Sequence, residues 1–276
     1  MIPNSFPLGP FTIHIYGLVI AIAVLLGWII AKRRAPLYKI SPALFDDPLL
    51  LSPLILGTIG GRLYHVIDKW GFYSQSPDQI LAITNGGLGI FGALAGVFIG
   101  FWIFARFKKI NFLSLFDLVS PSLILGQAIG RIGNFVNQEA FGPPTNLPWG
   151  VYIDPAHRPI QYLFQTHFHP TFFYEAILEL IAFFLLIVLA KRFYSSSDPP
   201  AGGESRSFLK IGKFRVNSNN KPGSVFGLYL ILYGASRGVA EIWRIDTAKL
   251  GDIKVAYLLS LLLILIGIRL LSLREK

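Results

Sequence analysis

Residues 13–31 read Ile-His-Ile-Tyr-Gly-Leu-Val-Ile-Ala-Ile-Ala-Val-Leu-Leu-Gly-Trp-Ile-Ile-Ala and run directly into Lys32, Arg33 and Arg34. Without a single Asp, Glu, Lys or Arg, this stretch is long enough to cross the ~30 Å hydrocarbon core of a bilayer as a helix. The three cations that follow are the signature of a cytoplasmic helix end. Working outward, comparable apolar stretches recur at about 48–67, 87–105, 113–130, 172–190, 224–243 and 254–273. The fourth is the most interrupted, by Asp117, Ser120, Pro121, Ser122 and Gln127, and a re-entrant segment there would leave six spans. The expected fold is therefore an all-α integral membrane protein, a bundle of about seven transmembrane helices.

Composition agrees. Only 14% of the 276 residues are charged, 53% are hydrophobic, and there is no cysteine; mean hydropathy is +0.55. So few charges cannot coat a soluble protein of this size, and 23 Phe, 11 Tyr and 5 Trp exclude a disordered chain. The missing cysteines exclude disulfides, thiolate metal sites and a cysteine nucleophile. A net charge of +10 would suggest nucleic acid in a soluble protein, but here 17 of the 25 Lys and Arg follow the first, third, fifth and last spans. The positive-inside rule puts those ends in the cytoplasm and the N-terminus outside. The start lacks the basic region and the cleavage site of a signal peptide, so the first span is expected to stay.

The chain reads as one membrane-embedded domain over 1–276, with two segments off the spans. Residues 191–223, rich in Ser, Gly, Lys and Asn, are expected as a mobile cytoplasmic loop. Residues 131–171, with Pro143, Pro144, Pro148, Pro155 and Pro159 and with Trp149, Tyr152, Tyr162, Phe164 and Phe168, are expected as a folded outer-side segment.

Charged groups inside spans are costly and point to function. Tyr233, Arg237, Glu241 and Arg244 stack on one helix face at spacings of 4, 4 and 3. Gly130, Arg131, Gly133, Asn134, Asn137 and Glu139 close the fourth span; His169, Pro170, Thr171, Tyr174 and Glu175 open the fifth. His14 and Tyr16 open the first span, Arg62 follows two glycines near the end of the second, and Gly86–Gly92 open the third. Each group has a plain structural alternative: an Arg237–Glu241 i,i+4 pair, a helix terminus with a snorkelling Arg131, a Thr171 N-cap, an interfacial Tyr16, close-packed glycines. Together, several arginines with few acids to neutralise them look like a site for an anionic headgroup, since the planar guanidinium suits phosphate. There is no P-loop or dinucleotide spacing, no HExxH, and no helical pair among His14, His65, His157, His167 and His169. No metal and no cofactor are expected. An anion transporter, an assembly protein and a retinal photoreceptor are rival classes. The first would need polar groups through the full membrane depth, the second leaves Arg131 and Asn134 among their glycines unexplained, and the third lacks a lysine in mid-span 254–273.

In order along the chain, His14-Ile-Tyr-Gly17, Gly60-Gly-Arg62, Gly86-Gly-Leu-Gly-Ile-Phe-Gly92, Gly130-Arg-Ile-Gly-Asn-Phe-Val-Asn-Gln-Glu-Ala-Phe-Gly142, His169-Pro-Thr-Phe-Phe-Tyr-Glu175 and Tyr233-Gly-Ala-Ser-Arg-Gly-Val-Ala-Glu241 resemble the prolipoprotein diacylglyceryl transferase family. The resemblance implies an enzyme of the bacterial cytoplasmic (inner) membrane that acts in lipoprotein biosynthesis. It would transfer the sn-1,2-diacylglyceryl group of phosphatidylglycerol to the lipobox cysteine of a preprolipoprotein signal peptide. The product would be a thioether, with sn-glycerol 1-phosphate released. Its partners would be those two substrates and membrane lipid, with no nucleic acid. Tyr16, Arg131, Asn134 and Arg237 are the expected catalytic residues. Arg62, Glu139, Gly142, His169, Glu175, Tyr233, Glu241 and Arg244 are the expected substrate-binding set. Glu241 would fix Arg237, and Glu139 would fix Arg131 or meet the glycerol hydroxyls. One departure stands out: some members carry His where this chain has Phe91, and phenylalanine cannot accept the thiol proton.

Overall fold

The computed structural model describes residues 5–9, 11–82, 86–195, 208–211, 214–217 and 221–272. Seven long helices account for most of them: α1 Ile15–Arg34, α2 Ser52–Asp68, α3 Ile90–Phe107, α4 Phe112–Asn137, α5 Thr171–Ser195, α6 Ser224–Ala240 and α7 Val255–Ser272. Six are long and apolar enough to cross a membrane, and α6 is a shorter apolar helix of 17 residues. The chain divides into two compact units, residues 39–115 and the remainder.

In the unit 39–115, α2 and α3 pack along a seam of glycines. A methyl group on Gly92 would collide with the carbonyl of Gly60, and one on Gly96 with that of Leu56. Lipid offers no hydrophobic drive for helix pairing, so close backbone approach across small residues supplies the contact. Of the glycines that open α3, Gly89 and Gly92 are thus close-packing positions, whereas Gly86 has open space around it and a φ of 84°.

In the other unit, α1 turns a stripe of Val19, Ala23, Gly27 and Ala31 inward at spacing 4 and leaves Leu18, Ile22, Val24 and Leu25 exposed. This is a lipid-facing pattern, large apolar side chains outward and small ones at the contact. Gly27 meets α4, where the Ser122 hydroxyl donates to its carbonyl at 2.8 Å.

The fourth span is one continuous helix of 26 residues, about 39 Å at ~1.5 Å per residue, and not a re-entrant segment. Each polar side chain that interrupts its hydropathy makes at least one hydrogen bond. Asp117, fully buried, accepts the backbone N–H groups of Gly223 (2.8 Å) and Phe226 (2.7 Å) and the Tyr194 hydroxyl (2.6 Å). It thereby caps the start of α6 from a different helix. The Gln127 amide donates to the Tyr229 hydroxyl at 3.2 Å.

Arg131–Asn137, expected in the outer-side segment, is still α4; these residues look loop-like in sequence because their polar face is satisfied by other helices. The irregular segment begins at Gln138. It folds around Phe141, Ile153, Phe168 and Phe172, with the two-residue strands Val151–Tyr152 and His167–Phe168 paired antiparallel. Within 191–223, α5 continues to Ser195, and Phe208–Ile211 pairs with Phe214–Asn217. The remainder expected as loop, 196–207, 212–213 and 218–220, lies outside the described residues.

Candidate active site

Three helices bring the intramembrane charges together. On α5, Glu175 and Glu179 are one turn apart on the same face, and both are fully buried. On α4, Arg131 reaches across to them. Its Nη2 lies 2.8 Å from Glu175 Oε1 and 3.3 Å from Glu179 Oε1, and its Nε lies 3.4 Å from Glu179 Oε2. On α6, Arg237 lies 3.4 Å from the other Glu175 oxygen through Nη1, and 2.7 Å from Glu241 Oε2 through Nη2. Glu175 therefore bridges the two guanidinium groups, and Glu241 holds Arg237 from the next turn. The expected excess of arginine over acid is not what the structure contains: three buried carboxylates face two guanidiniums. Tyr233 stacks on Tyr229 with ring centroids 6.0 Å apart, in the electrostatic field of both arginines and of Glu175 and Glu179.

The polar residues flanking this cluster form a second layer. Glu139 Oε1 accepts from the side-chain amides of Asn134 (3.0 Å) and Asn137 (3.3 Å), so its partners are the asparagines and not Arg131. Asn134 Oδ1 sits 3.5 Å from Arg131 Nη1, too long for a strong bond in this geometry. The half-exposed Tyr16 ring lies against Gly133, where a methyl group would collide with it.

The turn 138–142 is fastened at several of its backbone atoms. Glu139 N–H donates to Asn134 O at 3.0 Å, Ala140 N–H to Asp246 Oδ2 at 3.1 Å, and Gly142 N–H to His169 O at 2.8 Å. The Thr171 hydroxyl donates to Ala140 O at 2.5 Å. Thr171 is thus the first residue of α5 tying down the turn, and not an N-cap. These bonds hold Gln138 and Ala140 at φ of 53° and 58°, a region unfavourable for residues with a Cβ unless the surroundings impose it. At Gly142 a Cβ would come within 2.7 Å of the Trp243 carbonyl and 2.9 Å of His169 Cβ, so glycine is required by space.

The remaining expected residues have partners of their own. Arg244 pairs with Asp246 at 3.1 and 3.3 Å, reinforcing the turn's anchor. His169 Nδ1 is 3.1 Å from the Tyr174 hydroxyl, which also accepts from Trp149 Nε1 at 2.9 Å. In the unit 39–115, buried Arg62 spends its donors on the main-chain carbonyls of Gln79, Ile80, Ala82, Gly86 and Gly87. It organises the segment leading into α3. Phe91 is exposed, its ring 5.9 Å from that of Tyr64.

Two residues escaped the sequence reading. Glu179 had a legible signal, a second carboxylate four residues after Glu175 in an apolar helix. Asp246 had none, being one acid in a polar connection.

The sequence profile described as prolipoprotein diacylglyceryl transferase matches residues 3–273. The chain belongs to this family. Among curated relatives, the phosphatidylglycerol–prolipoprotein diacylglyceryl transferase of Nostoc sp. is 42% identical, over 96% of this chain and 87% of its own length. The enzyme of the same name from Acaryochloris marina is 40% identical over 96% and 88%, and that of Thermotoga maritima 38% over 95% and 81%. The matched range contains all seven long helices and the whole Arg131–Glu175–Arg237 constellation.

Proposed function

We propose that Arg131 and Arg237 hold the phosphate of the lipid donor and stabilise it as it leaves. The enzyme transfers the sn-1,2-diacylglyceryl group from phosphatidylglycerol to the lipobox cysteine thiol of a preprolipoprotein. The cysteine sulfur forms a bond to the glyceryl carbon while that carbon's bond to the phosphate oxygen breaks, and the electron pair leaves with sn-glycerol 1-phosphate. The thiol proton is lost in the process, since the thiolate of a group with pKa near ~8.5 is the nucleophile. Negative charge therefore grows on the departing phosphate, where cations fixed in advance lower the barrier most.

The observation that carries this reading is the Glu175 bridge, 2.8 Å to Arg131 and 3.4 Å to Arg237. One buried carboxylate sets the spacing of two guanidiniums, so neither must be ordered when the phosphate arrives. Tyr16, Asn134, Glu139 and Tyr233 border the pair and would orient the glycerol headgroup. Gly142 and His169 shape the turn beside it, and Arg244 acts through Asp246. Arg62 would act through the backbone it gathers between residues 79 and 87. No residue is assigned as thiol base; stabilisation of the thiolate by the arginines supplies the activation that Phe91 cannot.

The test is transfer from radiolabelled phosphatidylglycerol to a lipobox peptide. Arg131→Ala and Arg237→Ala should each lose at least ~10³-fold. Lysine at either position should fail to restore it, because a point charge cannot reproduce the two-pronged contact. Normal transfer by a folded alanine variant would overturn the assignment.

The distribution of basic residues supports an N-terminus outside and a C-terminus in the cytoplasm, with 138–171 on the outer side. As the natural chain has no cysteine, single cysteines at Ser5 and Ser272 can be labelled from either side without background. Labelling of Ser272→Cys from outside would overturn the orientation.

A further inference from the structure

The charge of the buried cluster does not balance. Arg131 and Arg237 face Glu175, Glu179 and Glu241, all three fully buried. The next cation, Lys254, donates to the main-chain carbonyls of Glu241 (2.6 Å) and Arg244 (2.9 Å), where it caps the end of α6; Arg244 is taken by Asp246. With every carboxylate ionised, the five groups carry a net −1 before any lipid arrives. A phosphodiester would bring this to −2. An uncompensated buried carboxylate is costly enough that such a group takes up a proton instead.

Both oxygens of Glu241 lack a hydrogen bond, but the ion-pair distances single out a different one of the three. Glu175 is shared by both arginines, with its shorter contact at 2.8 Å, and Glu241 holds Arg237 at 2.7 Å. Glu179 has only the 3.3 and 3.4 Å contacts, both to Arg131, and one of them to the same Nη2 that Glu175 approaches more closely. The groups around it are Arg131 from α4, Glu175 from its own helix, Arg237 from α6, and the phenols of Tyr229 and Tyr233 from α6. Arg237 is the one further cation among them, and its ion pairs are with Glu175 and Glu241.

We propose that Glu179 is a positioning residue that works as the neutral acid. Its proton brings the cluster to zero charge, keeps Arg131 in place through hydrogen bonding, and leaves the guanidinium field available to an anionic lipid headgroup. Ionised Glu179 would occupy Arg131 as a competing anion. The proton stays on Glu179 throughout transfer; it is a condition of binding and not a reactant. This inference rests on the phosphate assignment of Arg131 and Arg237.

The experiment measures KM for phosphatidylglycerol in the intact enzyme against pH, at saturating lipobox peptide, for the wild type and Glu179→Gln. The phosphodiester keeps one negative charge across the range, so a change in KM reports the protein. In the wild type, KM should rise with pH, toward about tenfold per unit once the binding-competent fraction falls. In Glu179→Gln that rise should disappear. Infrared difference spectra should show a protonated-carboxyl C=O band in the wild type that Glu179→Gln removes and Glu241→Gln keeps. Three results would overturn the proposal: an unchanged KM profile in Glu179→Gln, failure of that neutral isostere to fold or transfer, or a carboxyl band that follows Glu241. Loss of transfer in the wild type itself would instead count against the function, and normal transfer by Arg131→Ala against the phosphate assignment.

Discussion

Arg131 and Glu175 meet at 2.8 Å across 44 residues of chain. The contact joins the last turns of α4 to the first turns of α5, and everything between them, the 138–170 segment, is the loop that this ion pair closes. Because Glu175 also faces Arg237, its removal should release both guanidiniums at once. Glu175→Ala leaves two partly buried cations short of a partner, a loss of about 3–5 kcal/mol when a buried pair is broken. Transfer should fall by at least ~10²-fold, the scale of an ångström-sized misplacement of catalytic groups. Thermal unfolding in detergent and the peptide transfer assay check the two parts separately. A variant with normal transfer would show that the arginines hold position without the bridge.

Asp117 offers a prediction away from the chemistry. It receives two backbone N–H groups at the start of α6 and the Tyr194 hydroxyl. Asp117→Ala takes the acceptor from both backbone donors, at about 1–3 kcal/mol each. As α6 carries Tyr233, Arg237 and Glu241, activity should fall together with thermal stability. Tyr194→Phe removes only a hydroxyl whose partner keeps two other donors, and should cost about 1 kcal/mol. Melting temperatures of the two variants and of the double variant check this, since the shared network predicts non-additive losses.

The contrast between these sites shows what a sequence carries. The spans are legible because the bilayer demands long uncharged runs whatever the tertiary contacts. The faces of α5 and α6 are legible because helical spacing aligns residues four apart. Partners are not. Glu139 could be assigned to Arg131 by proximity along the chain, yet it binds Asn134 and Asn137, and nothing local reports that Arg131 is already held by α5. The polar residues of α4 suggested a broken span for the same reason: their partners, Gly27, Gly223 and Tyr229, lie far along the chain.

Arg244 and Arg131 are both intramembrane-type arginines by sequence, and the structure separates them. Arg244 binds Asp246, whose other role is to accept the N–H of Ala140. Arg244→Ala should therefore reduce transfer by about tenfold, acting through the turn, whereas Arg131→Ala should lose at least ~10³-fold. Asp246→Ala should be worse than Arg244→Ala, because it frees the backbone of a residue held at positive φ. Rate measurements on the three variants order these effects. An Arg244→Ala loss equal to that of Arg131→Ala would place Arg244 on the lipid.

Gly142 gives the sharpest steric prediction. Its Cα lies where the 138–142 turn meets the end of α6 and the start of α5. An alanine methyl would stand 2.7 Å from the Trp243 carbonyl oxygen and 2.9 Å from both His169 Cβ and Thr171 Cγ2. None of the three is the free end of a flexible chain, so the backbone must move. The movement would strain the Gly142–His169 hydrogen bond at 2.8 Å and, through Ala140, the bond from Thr171. Overpacking of this kind costs about 1–3 kcal/mol, which a seven-helix protein survives. The turn also carries Glu139, which holds Asn134 and Asn137 beside Arg131. Gly142→Ala should thus remain folded, with a melting temperature a few degrees lower, while transfer falls by ~10²-fold or more. A folded variant with transfer near that of the wild type would mean that the turn does not set the geometry at Arg131.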